Sequence, residues 1–154
     1  MTITDLKKAF EQPLPGIKGH QLLMPSYRNA LRLEAVQAKS PRRAGVLVHL
    51  FEGAQGLEVL LMKRPVYEGT HSGQISFPGG GFDESDGTIR QAAIRETEEE
   101  VGITSDFIDV VGYLEDIQTI SGFYVTPFVA ILQDGFKITK NPEEVSEVFS
   151  LPLE

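Results

Sequence analysis

"GGGFDESDGTIRQAAIRETEEEVGI", Gly79 to Ile103, crowds Asp83, Glu84, Asp86, Glu96, Glu98, Glu99 and Glu100 together, with only Arg90 and Arg95 to offset them. A helix is predicted to start after Asp86 or Gly87 and to finish at Val101, with Gly102 as its stop. At roughly 100° per residue, Ile89, Ala92, Ala93, Thr97 and Val101 gather on one side, with Ile94 at its margin. Glu96 and Glu100 stand one turn apart and point into that same side. Glu99 lies beside them, about 60° from Glu96. Glu98 projects to the opposite side.

A solvated acidic face accounts for Glu98 and fails for the other three. Like charges at i, i+4 destabilise a helix by roughly 0.2–0.5 kcal/mol. Acids in the last turn also face the negative end of the helix dipole, and burying them without partners costs far more. A hard divalent cation such as Mg²⁺ or Mn²⁺ removes all three objections, because it takes oxygen ligands and cancels their charge.

Outward from the helix, the chain alternates short apolar runs with turn signals. "ITDLKKAFEQ" reads as a helix, broken by "PLPG". The basic cluster "KSPRR" reads as a loop. "AGVLVHLFE" and "LEVLLMKR" flank "GAQG" as a hairpin. "QISF" is a short strand stopped by Pro78 and the three glycines. "DVVGYLED" and "FYVTPFVAIL" are further strands, as are the shorter "FKI" and "VSEVFSL". Several strands around one strong helix give a mixed α/β or α+β domain.

The 154 residues suit one domain with a sizeable core. A net charge of −8 argues against a general nucleic-acid binder. It leaves room for a phosphate-bearing small molecule, since local cations or a metal can reverse the field in one cleft. The chain has no cysteine, which removes disulfides, thiolate metal sites and cysteine nucleophiles. "MTITDLKKAFEQ" lacks the apolar core of a signal peptide, and "AGVLVHLF" is too short to cross a bilayer. The expectation is a cytoplasmic protein without a membrane span.

"RETEEEVGI", Arg95 to Ile103, resembles the core of the Nudix hydrolase signature, R-E-U-x-E-E-x-G-U, with Thr97 at a usually aliphatic place. Gly80 fits the leading glycine, and Asp86 takes the place of the upstream glutamate, displaced by one residue. "FPGGGFDESDGTIRQAAIRE" is similar to the pattern of the coenzyme A pyrophosphatase branch, FPGGxxDxxDx6ALRE, with Ile94 in place of Leu. "LLMKRPVYEGTHSGQISFPGG" resembles that branch's upstream motif, linked with coenzyme A recognition. Leu60, Leu61, Arg64, Gly73 and Phe77 match it, whereas Met62, Pro65 and Gly69 depart from it. The likeness runs from about Ala44 to Leu153.

The resemblance implies an α/β/α sandwich with a mixed central sheet, in which a loop, helix and loop hold divalent metal. It divides the chain into an N-terminal helix and extension (1–43) and the domain proper (44–154). Glu96, Glu99 and Glu100 become the expected ligands of Mg²⁺ or Mn²⁺, with the Gly80 carbonyl as a further one and Arg95 orienting Glu96. The implied reaction is hydrolysis of a diphosphate linkage, for coenzyme A giving 3′-phospho-AMP and 4′-phosphopantetheine. The general base is Glu96 or Glu144. Arg64 is the first candidate for the substrate's anionic groups, followed by Lys63, His71, Arg42 and Arg43. Gly79, Gly80 and Gly81 let the backbone come close to phosphate. Tyr67 and Phe123 are candidates for contact with the adenine or the pantetheine arm, or for packing.

Two rivals stand beside this reading. One is a Nudix hydrolase of ADP-ribose, NADH or another nucleoside diphosphate derivative; the other is a non-catalytic nucleotide-binding module. The family resemblance allows a homodimer. The chain stops at "SLPLE", where such domains usually continue into a second major helix, so a shortened or minimal version is expected.

Overall fold

The structure is a computed structural model that describes residues 1–16, 18, 19, 22, 42–54, 56–66, 68, 72–119 and 122–153. Its elements are α1 (Ile3–Phe10), β1 (Arg42–Gly53), β2 (Gly56–Lys63), β3 (Ile75–Ser76), β4 (Gly79–Gly81), α2 (Ile89–Val101), β5 (Ile108–Tyr113), β6 (Ile117–Gln118), β7 (Phe123–Leu132) and β8 (Glu147–Pro152). Single 3-10 turns over Glu84–Asp86 and Ser105–Phe107 lead into and follow α2.

One mixed eight-stranded sheet organises the described residues. β1 is its hub. Along one edge it pairs parallel with β7, from Arg42↔Phe123 to Leu50↔Ile131. Along the other it pairs antiparallel with β2 near its end and with β4 near its start, Gly45 opposite Gly80. β8 lines the far edge of β2, and β5 and β6 share the far edge of β7.

Pro127 sits mid-strand in β7, where a missing N–H would break a ladder. Its carbonyl accepts from Leu114 N at 2.8 Å, beyond the end of β5 and before β6 begins. A strand residue points its N–H and C=O to the same edge. The absent donor therefore falls at the gap between two partner strands.

Helices cover both faces. α2 lies over Leu47, Leu60, Ile103 and Ala130, to which it adds Ala93 and Val101. α1 lays Ile3, Leu6 and Phe10 on Leu50, Leu57, Val129 and Ile131. The α/β/α sandwich follows from β1, whose alternate residues supply both cores. α1 is fixed at its start by a capping box, in which Thr2 Oγ1 accepts from Asp5 N and Thr2 N donates to Asp5 Oδ2.

Three expectations differ. Residues 136–138, "FKI", form no strand; Phe136 turns inward and meets Phe51 edge-on at 5.3 Å. Burial of that ring outweighs the weak strand preference of three residues. Arg42 and Arg43 are not loop: they open β1 and pair with Phe123 and Tyr124. The three glycines, read as a strand stop, are themselves a strand because β1 offers them a partner. No described helix is long and apolar enough to cross a membrane, a statement that does not bear on strand-built barrels.

Candidate active site

α2 begins and ends as its sequence dictates. Thr88 caps the start by accepting from Gln91 N, and Gly102 ends it in the left-handed region at φ 71°. Its buried residues are Ala92, Ala93, Thr97, Glu100 and Val101. Thr97 is wholly buried at a position suited to an aliphatic side chain, and its hydroxyl is satisfied by donating to the Ala93 carbonyl at 2.9 Å.

The four glutamates occupy graded environments. Glu98 is exposed. Glu99 is half exposed at 52%, Glu96 falls to 18%, and Glu100 to 1%. The Glu96 carboxylate lies against Gly80, so close that a Cβ there would stand 2.3 Å from its carboxyl carbon. Glu100 accepts from Gly79 N at 2.8 Å through one oxygen and from Arg64 Nη2 at 3.1 Å through the other. Burial pushes the Glu100 carboxyl up to about 7, against the pull of Gly79 N–H and Arg64 and with the push of Glu96 and Glu144.

Arg95 ties the site's outer side together. Its Nε and Nη2 donate to the two oxygens of Asp86 at 2.7 and 3.2 Å. Its Nη1 donates to both Glu96 at 2.9 Å and Glu99 at 3.0 Å, and Nη2 also reaches the Gly81 carbonyl. These bonds raise the affinity of Arg95 for its proton, and the Arg95 bond holds Asp86 below the usual carboxylate range. Asp86 is the displaced acid of the sequence pattern, and its second bond, from Asp83 N at 2.8 Å, closes the 3-10 turn. A single residue thus joins the loop to the helix.

The sequence grouped Glu96, Glu99 and Glu100 on one side of the helix, and all three face the glycine strand or Arg95. Among the described residues, however, no three His, Asp or Glu side chains converge as a formed metal cage. Like charges separate, and each acid takes an arginine or backbone donor.

A cleft of about 450 Å³ opens beside Gly79, Gly80 and Gly81, bounded by Arg64, Ser76 and Phe123. Lys63 does not line it; its carbonyl accepts from Ser146 N. Arg42 stacks over the Phe123 ring at 4.1 Å, and Arg43 pairs with Asp116. His71 and Tyr67 lie outside the described residues.

Glu144 comes from the loop that follows β7. Asn141 N and Thr139 N donate to the Glu100 and Val101 carbonyls at 2.9 and 2.8 Å, satisfying open acceptors at the end of α2. Asn141 Nδ2 donates to Glu144 Oε1 at 3.1 Å, holding that acid where its charge acts on Glu100. Asn141 was missed in the sequence, although "NPEE" carries the signal of an Asx turn, seen here as Glu143 N donating to Asn141 Oδ1.

Comparison with known proteins agrees with this architecture. Residues 41–154 match the NUDIX domain. A protein of Klebsiella pneumoniae (strain 342) named "Uncharacterized Nudix hydrolase NudL" is 38% identical over 116 residues, 75% of this chain and 60% of that protein. Its namesake from Escherichia coli O1:K1 / APEC is 39% identical over 113 residues, 73% and 58% of the two chains. The chain therefore spans about three fifths of the length of these relatives. Among solved structures, a C. elegans Ap4A hydrolase binary complex superposes with a TM-score of 0.60 at 26% identity, covering 70% of this chain and 77% of that one. The NUDIX domain of Shewanella oneidensis NrtR, complexed with ADP ribose, gives 0.58 at 20% identity and 84% of each chain, a likeness of fold. With its signature helix set on a glycine strand of a mixed sheet, the chain belongs to the Nudix family.

Proposed function

We propose that the protein is a divalent-metal-dependent hydrolase of diphosphate linkages, and that coenzyme A or a derivative of it is the substrate. The observation that carries this reading is the gathering of Glu96 and Glu100 against Gly80 and Gly79, with Glu99 joined to Glu96 through Arg95, beside a cleft that presents Arg64. The donors fit Mg²⁺ or Mn²⁺ in kind, being hard oxygens. Two of them, Glu96 and Glu99, already share one cationic nitrogen.

Glu96, Glu99 and Glu100 would hold the ion, with the Gly80 carbonyl as a further ligand. When bound, it neutralises phosphoryl oxygens and lowers the pKa of water. Arg64 binds the anionic oxygens of the substrate, and Asp86 through Arg95 fixes Glu96 and Glu99. Glu96 or Glu144 takes the proton from the attacking water as the bridging P–O bond breaks. The apolar wall of Ala44, Val46, Phe123 and Val125 receives the uncharged parts of the substrate.

Coenzyme A is favoured by the "FPGGGFDESDGTIRQAAIRE" pattern, in which the place of Asp86 now has a physical role. A second reading, a dinucleoside polyphosphate or another nucleoside diphosphate derivative, is favoured by the likeness to the Ap4A hydrolase and by the departures at Met62, Pro65 and Gly69. The test is incubation with coenzyme A, ADP-ribose, NADH and Ap4A, with Mg²⁺, Mn²⁺ or chelator, and identification of products. Release of 3′-phospho-AMP from coenzyme A as the fastest reaction is expected. Faster cleavage of another compound would overturn the substrate, and no metal-dependent cleavage of any would overturn the activity.

A further inference from the structure

Arg64 occupies two places at once. Its backbone is pinned, with N donating to the Gln74 carbonyl at 2.9 Å and its own carbonyl accepting from Ser146 Oγ. Its side chain borders the cleft, 27% exposed, while Nη2 closes one oxygen of the buried Glu100. The other Glu100 oxygen is held by the fixed Gly79 N–H, so Arg64 is the exchangeable partner. A cation on that oxygen and a guanidinium beside it repel each other across a poorly solvated gap.

We propose that Arg64 is a positioning residue that couples the cation and anion sites, closing Glu100 until a divalent cation displaces it and then turning into the cleft to meet phosphate. The proposal rests on the hydrolase reading above. By linkage, the anion that draws Arg64 away opens Glu100 to the cation to the same degree. Direct cation–phosphate contact also makes the two bind together, so the distinguishing quantity is cation affinity with no anion present.

The experiment is a titration of Mn²⁺ followed by electron paramagnetic resonance of the free ion, repeated at rising pH so that protonation of Glu100 in the variant is separated from loss of the guanidinium. Arg64→Gln should bind Mn²⁺ about fivefold or more tightly than wild type, and Arg64→Lys, which keeps the charge, should stay near wild type. A purely anion-binding Arg64 would leave Mn²⁺ affinity unchanged in Arg64→Gln. That result, or weaker binding, overturns the proposal even with hydrolysis intact. A readout on the wild type does not depend on the variants folding: the Arg64 Nε–H nuclear magnetic resonance signal should move on adding Mg²⁺ alone, and an unmoved signal at saturation overturns the proposal. Absence of Mn²⁺ binding by both the wild type and Arg64→Gln would overturn this proposal, while metal-dependent cleavage of any of the four compounds would leave the hydrolase reading standing.

Discussion

Neighbouring glutamates in one helical turn meet different surroundings because a rotation of about 100° per residue separates water from core. Glu98→Gln should leave turnover within about twofold, whereas Glu99→Gln and Glu100→Gln should lower kcat about a hundredfold or more, as the proposed metal-holding role requires. Measuring kcat alongside circular dichroism separates lost chemistry from lost fold. A damaging Glu98→Gln would show that the helix presents another face to the substrate. Gly80→Ala tests the same site from the strand. The added Cβ would lie within 2.3 Å of the Glu96 carboxyl carbon, and the strand cannot retreat because Gly45 of β1 pairs with it. Glu96 must swing out, so kcat should fall about tenfold or more while the thermal midpoint moves by only a few degrees. The grading of Glu98 against Glu96 and Glu100 was legible from periodicity. The Arg64–Glu100 pair was not, because 36 residues separate the partners and only the sheet brings them together.

The elements divide in the same way. α2 could be drawn almost residue by residue, because its apolar spacing, Thr88 cap and Gly102 stop all agree. β4 could not, since three glycines have no strand preference and only pairing with β1 makes them one. "FKI" failed for the opposite reason: local preference gave way to the demand of the core for Phe136. The helix stop itself can be tested. Gly102 holds φ 71°, and a Cβ there would approach the Thr139 carbonyl oxygen to 2.6 Å. Gly102→Ala should therefore lose about 2 kcal/mol, more than the left-handed conformation alone would cost. Urea denaturation measures it, and a loss below about 0.5 kcal/mol would mean that the 139–145 loop yields.

At the scale of the molecule, His49 is the feature that no motif announced. It is fully buried on β1, and neither ring nitrogen finds a partner at hydrogen-bonding geometry. Burial lowers its pKa from 6.5 to about 3, with only a partial offset from the nearby Leu47 backbone. A histidine kept neutral in the fold but free to protonate when unfolded leaves stability intact above pH 6.5. That stability is lost as pH falls from 6.5 toward 3. At pH 5 this residue should remove about 2 kcal/mol relative to pH 8. Glu100, raised to about 7, acts in the opposite sense, favouring the fold as pH falls. The clean comparison is therefore the difference in unfolding free energy between wild type and His49→Leu across that range. A difference that does not change with pH would show that His49 carries its proton in the fold.

The parallel pairing of β1 with β7 has a kinetic consequence. Its partners, such as Gly45 and Thr126, lie far apart in the chain, so closing that contact demands a large loss of chain entropy before any reward arrives. β4 attaches to the other edge of this same strand, and the acidic helix rests on β4. The core under that helix draws on Ala130 and Leu132 of β7, so the helix gains its full support only when the slow, non-local step is over, and competence to react should return with the last phase of folding.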